Sequence, residues 1–233
     1  LYSVIGYMRN IETLNASVGK ITKSGYLRQK SKKNIAIIDK LQQDITTNSS
    51  SQEFNLYSKQ TYLDNIIRGG YPVIFNSEGQ KLVFYLYSRK HGDLERDYNK
   101  FQIQPTYFSQ GNGNYRDMNQ NRRNDIWFNP DIEDDNLIRF FNLLQADGFN
   151  PLVVKGITFA IKEGTDFEKT LKNTVEENSI PEIALFLKRQ PYTPGELILF
   201  IEDKKVKLKV SYDEFLNIII SHSIKSQETE HAG

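Results

Sequence analysis

Residues 115 to 130, Tyr-Arg-Asp-Met-Asn-Gln-Asn-Arg-Arg-Asn-Asp-Ile-Trp-Phe-Asn-Pro, place two acids, three arginines, four asparagines, a glutamine and three aromatic rings in sixteen positions. A planar amide or guanidinium group buried without a partner costs roughly 1–3 kcal/mol or more. The fold therefore has two ways to house this stretch. It lies at a surface where a polar ligand meets it, or it is tied into an internal hydrogen-bond network.

The chain around it has ordinary globular character. Its 233 residues are 38% apolar and 12% aromatic, enough for a substantial core in one large domain or two small ones. Thirty basic against twenty-nine acidic side chains leave no global field, so neither nucleic acid nor an anionic membrane is an expected partner. The absence of cysteine removes disulfides, thiolate metal sites and cysteine nucleophiles, and fits a reducing, cytoplasmic setting. No apolar run approaches the roughly 20 residues of a membrane helix. The ends, Leu1-Tyr2 and His231-Ala232-Gly233, read as those of a piece cut from a longer polypeptide, whose remainder would be a partner.

Element signals predict an α+β, predominantly helical chain. From Lys20 to Lys40 seven bases face the single acid Asp39, which reads either as a polyanion contact or as a solvated helix face. The Ser/Thr run at 46 to 52 breaks that helix and caps another through Phe54, Leu63 and Ile67, ended by Gly69-Gly70. Two β-prone runs, Pro72 to Phe75 and Leu82 to Tyr87, predict a hairpin. After Asn129-Pro130, acids at 131 to 135 open a helix whose body, Leu137 to Leu144, is apolar around most of its circumference. That helix is expected to be buried on more than one side and to stop at Gly148. A strand at Leu152 to Ile161 and short helices near 166–176, 181–189 and 195–202 follow. Ser211 and Glu214 then cap a last helix to about Ser223, and Gln227 to Gly233 is expected to fray.

Most catalytic patterns are missing. Gly111-Asn112-Gly113 lacks the strand-loop-helix context of a phosphate-cradling loop. His91, His222 and His231 make no pair at helical spacing, and the acids at 131, 133, 134 and 135 are explained by helix polarity, so no metal is expected. His91, within the charged run Arg89 to Asp97, reads as a surface residue.

What remains is Arg116-Asp117 with Gln120 and Asn121. A carboxylate accepting from adjacent hydroxyls, a guanidinium donating back and an aromatic face under the ring suit a sugar. Tyr115 and Trp127 are the candidate faces, and an Arg-Asp brace within a loop is the competing reading.

The stretch Tyr115 to Gly148 resembles inverting glycoside phosphorylases of the cellobiose-phosphorylase type. The features are Arg116-Asp117 followed by Gln120, Pro130 ten residues on, and Asp147-Gly148 after the apolar helix. The resemblance implies a helical linker with a β-hairpin over residues 1–110 and the opening of an (α/α)6 barrel, with an inserted α/β segment, over 111–233. It implies sugar-binding roles for Arg116, Asp117 and Gln120 beside Tyr115 and Trp127, an oligosaccharide or disaccharide substrate, no cofactor, and inorganic phosphate as co-substrate. In such chemistry a carboxylic acid protonates the glycosidic oxygen while phosphate attacks the anomeric carbon from the opposite face, whereas a related hydrolase activates water with a carboxylate base. The chain departs from the pattern at Asn121, where the family carries aspartate, and at Arg122 and Arg123, where it carries apolar or small residues. The family's general acid lies downstream. Asp203 and Asp213, the nearest aspartates, have structural explanations in a Lys-rich turn and a capped first turn. The chain is therefore expected to contribute sugar-binding residues without catalysing alone. Two other readings are a noncatalytic carbohydrate-binding or scaffold module and a polyanion-binding protein acting through residues 20–40.

Overall fold

The computed structural model describes residues 3–4, 8, 10–77, 80–86, 108–189 and 191–230. The run Arg89 to Asp97, with His91, lies outside them. The chain is α+β and predominantly helical. It divides into two compact units, Leu1–Leu63 and Asp64–Gly233.

In the first unit, α1 (Ile11–Ile21) is capped by Asn10, whose side chain accepts from the Thr13 amide at 2.8 Å. Helix α2 (Tyr26–Gln42) follows Gly25, which sits at φ 89°. It buries only Leu41, so its lysines stand in solvent. The Ser/Thr run is organised by Asn55, whose Oδ1 accepts from Thr47 Oγ1 at 2.8 Å and from the Ser49 amide at 3.1 Å. Ser51 Oγ accepts from the Phe54 amide at 3.2 Å and so starts α3 (Gln52–Gly69). At its far end, which belongs to the second unit, Gly70, at φ 93°, donates its amide to the Ile66 carbonyl, a left-handed stop that a side chain would strain.

The second unit continues with β1 (Tyr71–Ser77) and β2 (Gln80–Leu86), then β3 (Gly113–Asn114), α4 (Tyr115–Arg122), α5 (Asp125–Phe128) and α6 (Asp135–Asn142). It is completed by β4 (Val153–Ile161), α7 (Phe167–Thr174), α8 (Ile180–Arg189), α9 (Pro194–Lys204), α10 (Tyr212–Ser221) and β5 (Ser223–Glu230). Strands β1 and β2 form the predicted antiparallel hairpin, with Tyr71 opposite Leu86 and Val73 opposite Phe84. Because side chains alternate across a strand, Phe75, Phe84 and Leu86 enter the main core with Phe159, Leu171, Leu197 and Phe215, while Val83 and Tyr85 face Ile132 on the other side. The hairpin is thus wetted on neither face, which explains its nearly continuous apolar run.

A second antiparallel sheet has the order β3-β4-β5. It corrects the expectation of a frayed tail, since Val153 pairs with Glu230 and Ile161 with Ser223. The polar segment Ser223 to Glu230 carries almost no alternating apolar signal and becomes a strand because β4 supplies its hydrogen-bond partners. Near Gly156 the ladder shifts register between Val154 and Ile157. There Gln110 serves as a substitute strand: its Oε1 accepts from the Ile157 amide at 2.9 Å and its Nε2 donates to the Ile157 carbonyl.

The helices near 166–176, 181–189 and 195–202 are present as α7, α8 and α9. The last carries a complete capping box between Thr193 and Glu196. Ser211 accepts from the Glu214 amide at 3.2 Å and starts α10. The apolar helix after Pro130 requires correction. Pro130–Ile132 forms a 3-10 turn, Glu133 at φ 50° interrupts it, and α6 begins only at Asp135 and ends at Asn142, before Gly148. Its burial is also reversed, with Arg139 and Phe140 inward and Leu137, Ile138 and Phe141 exposed. Among the described residues no helix is long and apolar enough to cross a membrane.

Candidate functional site

Helix α4 begins where two local features coincide. Gly113 lets the backbone pass against Met118, since a Cβ there would stand 2.0 Å from the Met118 Sδ. Asn114 then caps the helix by accepting from the Arg116 amide at 3.0 Å. Helical spacing sorts the polar stretch into two faces. Tyr115, Met118 and Arg122 turn inward, while Arg116, Asn119, Gln120 and Arg123 are exposed and Asp117 and Asn121 lie half-buried beside them.

Both housing solutions for residues 115–130 are therefore used, one on each face. On the outer face Arg116 Nε and the Asp117 carboxylate stand 3.8 Å apart, with 70% and 22% of their side chains exposed. The first-turn position of Asp117 also suits the helix dipole. The Asn121 amide donates to the Asp117 backbone carbonyl at 2.6 Å, leaving the carboxylate itself facing Arg116. Gln120 projects to solvent from the same helix. Trp127 is carried by α5 and is 80% exposed. Tyr115 does not join this surface: its ring packs edge-on against Phe140 at 5.3 Å and its hydroxyl donates to the Phe140 carbonyl at 2.8 Å.

A cleft of about 440 Å³ runs along α4, α5 and α6, lined by Asn119, Arg123, Asn136, Leu137, Phe141 and neighbouring residues. Its polar groups are few and its walls mostly apolar, as in small-ligand sites. Glu133 at its edge is engaged with Lys81 at 2.7 Å.

Beneath α4 lies a buried polar cluster that reading the sequence did not predict. The Arg122 guanidinium lies over the Tyr85 ring, 3.7 Å from its centroid, and its Nε donates to the Gly69 carbonyl. Arg139 approaches the same ring at 5.6 Å, and its Nη2 donates to the Val83 carbonyl at 3.0 Å and to Asp135 at 2.6 Å. Lys225 adds a second cation to Asp135 at 3.3 Å. Asn136 donates to the Tyr85 hydroxyl at 2.7 Å. Burial pushes Asp125 up to about 7 against the opposing pull of the Tyr85 hydroxyl and Arg122. Burial likewise lowers Arg122 to about 10, so it stays charged at neutral pH, and raises Tyr85. The available sequence signal was the helical spacing of Arg122, which sets it in register with Tyr115 and Met118 on the inward face.

Asp203 and Asp213 are both exposed, in the last turn of α9 and the first turn of α10, and neither lines the cleft. Among the described residues no group of three or more histidines, aspartates and glutamates is placed to hold a metal. Comparison with models of known protein families, with curated proteins and with solved structures finds no match to this chain.

Proposed function

We propose that this chain is the sugar-recognising part of a carbohydrate-active enzyme of the cellobiose-phosphorylase-like kind, in which Arg116, Asp117 and Gln120 hold a sugar of an oligosaccharide or disaccharide. Trp127 supplies an apolar ring face. The observation that carries the reading is the Arg116-Asp117 pair at the head of α4. At 3.8 Å the two groups are close enough to act on one ligand yet too far apart to satisfy each other by a hydrogen bond. A carboxylate and a guanidinium left with open valences on one helix face match the paired donors and acceptors of vicinal hydroxyls. Inorganic phosphate is the co-substrate under this reading, and the general acid comes from outside residues 115–130.

The test is saturation-transfer NMR and calorimetry with glucose and cellobiose, comparing the wild type with Asp117→Ala. Charge-assisted hydrogen bonds contribute about 1.5–3 kcal/mol, so the variant is expected to bind roughly tenfold or more weakly. Equal binding by both proteins would remove Asp117 from the site. Absence of binding to any sugar would favour the second reading, a scaffold module. The observation behind that reading is the apolar outer face of α6, where Leu137 is 64% and Phe141 69% exposed.

A further inference from the structure

We propose that the cleft along α4, α5 and α6 binds a small amphiphilic carboxylate, an apolar chain or ring with one anionic head. Arg123 holds the head, and Leu137, Phe141 and Ile126 cover the apolar body.

The walls are helix faces. Residues 137, 141 and 144 recur at one helical turn, as do residues 119 and 123, so α6 and α4 turn these two rows toward a common space of about 440 Å³, to which α5 adds Ile126. Three further lining residues are fixed by packing: Tyr115 meets Phe140 edge-on, and Ile132 is buried against Val83 and Tyr85. The volume lies within the range of roughly 300–1,000 Å³ usual for small-ligand sites.

Apolar surface left in water marks this hollow as a place of contact. Leu137 and Phe141 are more than half exposed, and Leu144 and Ile126 more than a third. Large apolar side chains gathered around one concavity recover that cost when an apolar body covers them. Few polar partners stand among them, so a ring of hydroxyls is poorly served there.

Charge selects the head group. Arg122 and Arg123 both line the cleft, and the acid in the lining, Glu133, is held by Lys81 at 2.7 Å. Arg122 is fixed by the Tyr85 ring and the Gly69 carbonyl, so it contributes positive charge without reaching outward. Arg123 stands in solvent at the C-terminal cap of α4, and among the described residues no hydrogen bond or ion pair ties its side chain. A guanidinium meets a carboxylate through two parallel hydrogen bonds. Lys81 also carries Asp131, at 3.4 Å, so Lys81, Glu133 and Asp131 together sum to one negative charge beside the cleft. That disfavours a dianion such as a phosphate monoester and leaves a single carboxylate as the matching head.

The cleft is independent of the carbohydrate reading, since Arg116, Asp117 and Gln120 do not line it.

The test is calorimetry with octanoate, octanol and octylammonium, which share a tail and differ in the charge of the head. The wild type is expected to bind octanoate most tightly and octylammonium least. Arg123→Gln should weaken octanoate about fivefold and leave octanol unchanged, as for an exposed ion pair. Leu137→Ser should weaken octanoate and octanol alike. Both substituted residues are exposed, so circular dichroism should not change. Asp117→Ala, which tests the sugar reading, should leave octanoate binding as it is. No octanoate binding at millimolar concentration overturns the proposal, and so does octylammonium bound as tightly as octanoate. Unchanged octanoate affinity in Arg123→Gln removes the head-group contact, and in Leu137→Ser it places the binding outside the cleft; either result overturns it too.

Discussion

Arg122 shows how one residue decides what its neighbours do. A fully buried guanidinium is costly unless its hydrogen bonds and charge are met. Here the Tyr85 face, the Gly69 carbonyl and the adjacent carboxyls offset part of that cost. Asp125 bears the consequence in its titration. Its folded value near 7 lies above the ordinary carboxylate range, so the folded state holds a proton that the unfolded chain releases from about pH 4 upward. The stability it contributes is therefore complete below about pH 4, falls as pH rises toward 7 and is then absent. Three units set an upper bound of about 4 kcal/mol. Asp125→Asn should accordingly gain stability relative to the wild type between pH 4 and 7 in urea unfolding. A difference that does not vary with pH would show that the carboxyl is not buried as described. Arg116, Asp117 and Gln120 were picked out in sequence by their polar chemistry, and the structure places Arg116 and Gln120 in solvent with Asp117 half-buried beside them. The inward role of Tyr115 was not legible, since aromatic residues serve cores and ligand faces equally well.

Local signals read best at the scale of elements. Helix α10 was predicted from Ser211 with Glu214 three residues later, and the hairpin from two β-prone runs. These features act over a few residues, so they survive without knowledge of the fold. Helix α6 was misjudged for the converse reason. Its apolar residues surround the axis, and which side is buried depends on Val83, Tyr85 and Tyr115 meeting it from other parts of the chain. The start of α4 offers a sharp test. Gly113→Val would drive its side chain into Met118, where even a Cβ stands 2.0 Å from Sδ. Overpacking of this kind costs typically 1–3 kcal/mol. The double variant with Met118→Ala should recover part of that loss, whereas no recovery would place the strain in the backbone.

Across the whole second unit, β5 ties the end of the described chain to β4, and Tyr192 joins it through a 2.7 Å hydrogen bond to Ser223. Truncation after His222 is expected to lower the thermal midpoint by about 4 °C or more, because it strips one edge of β4 and unpairs the buried Tyr192 hydroxyl. A truncated chain of unchanged midpoint would mean that β5 adds nothing to the sheet. Composition, helix caps and apolar periodicity were enough to determine the α+β class, most helices and the hairpin, because those depend on neighbours in sequence. Three things awaited the tertiary structure: a polar tail made into a strand, an apolar helix turned outward, and a pair of arginines gathered under Tyr85. Each is decided by partners tens of residues away, where the free energy of a hydrogen bond or a buried charge depends on what surrounds it rather than on what precedes it.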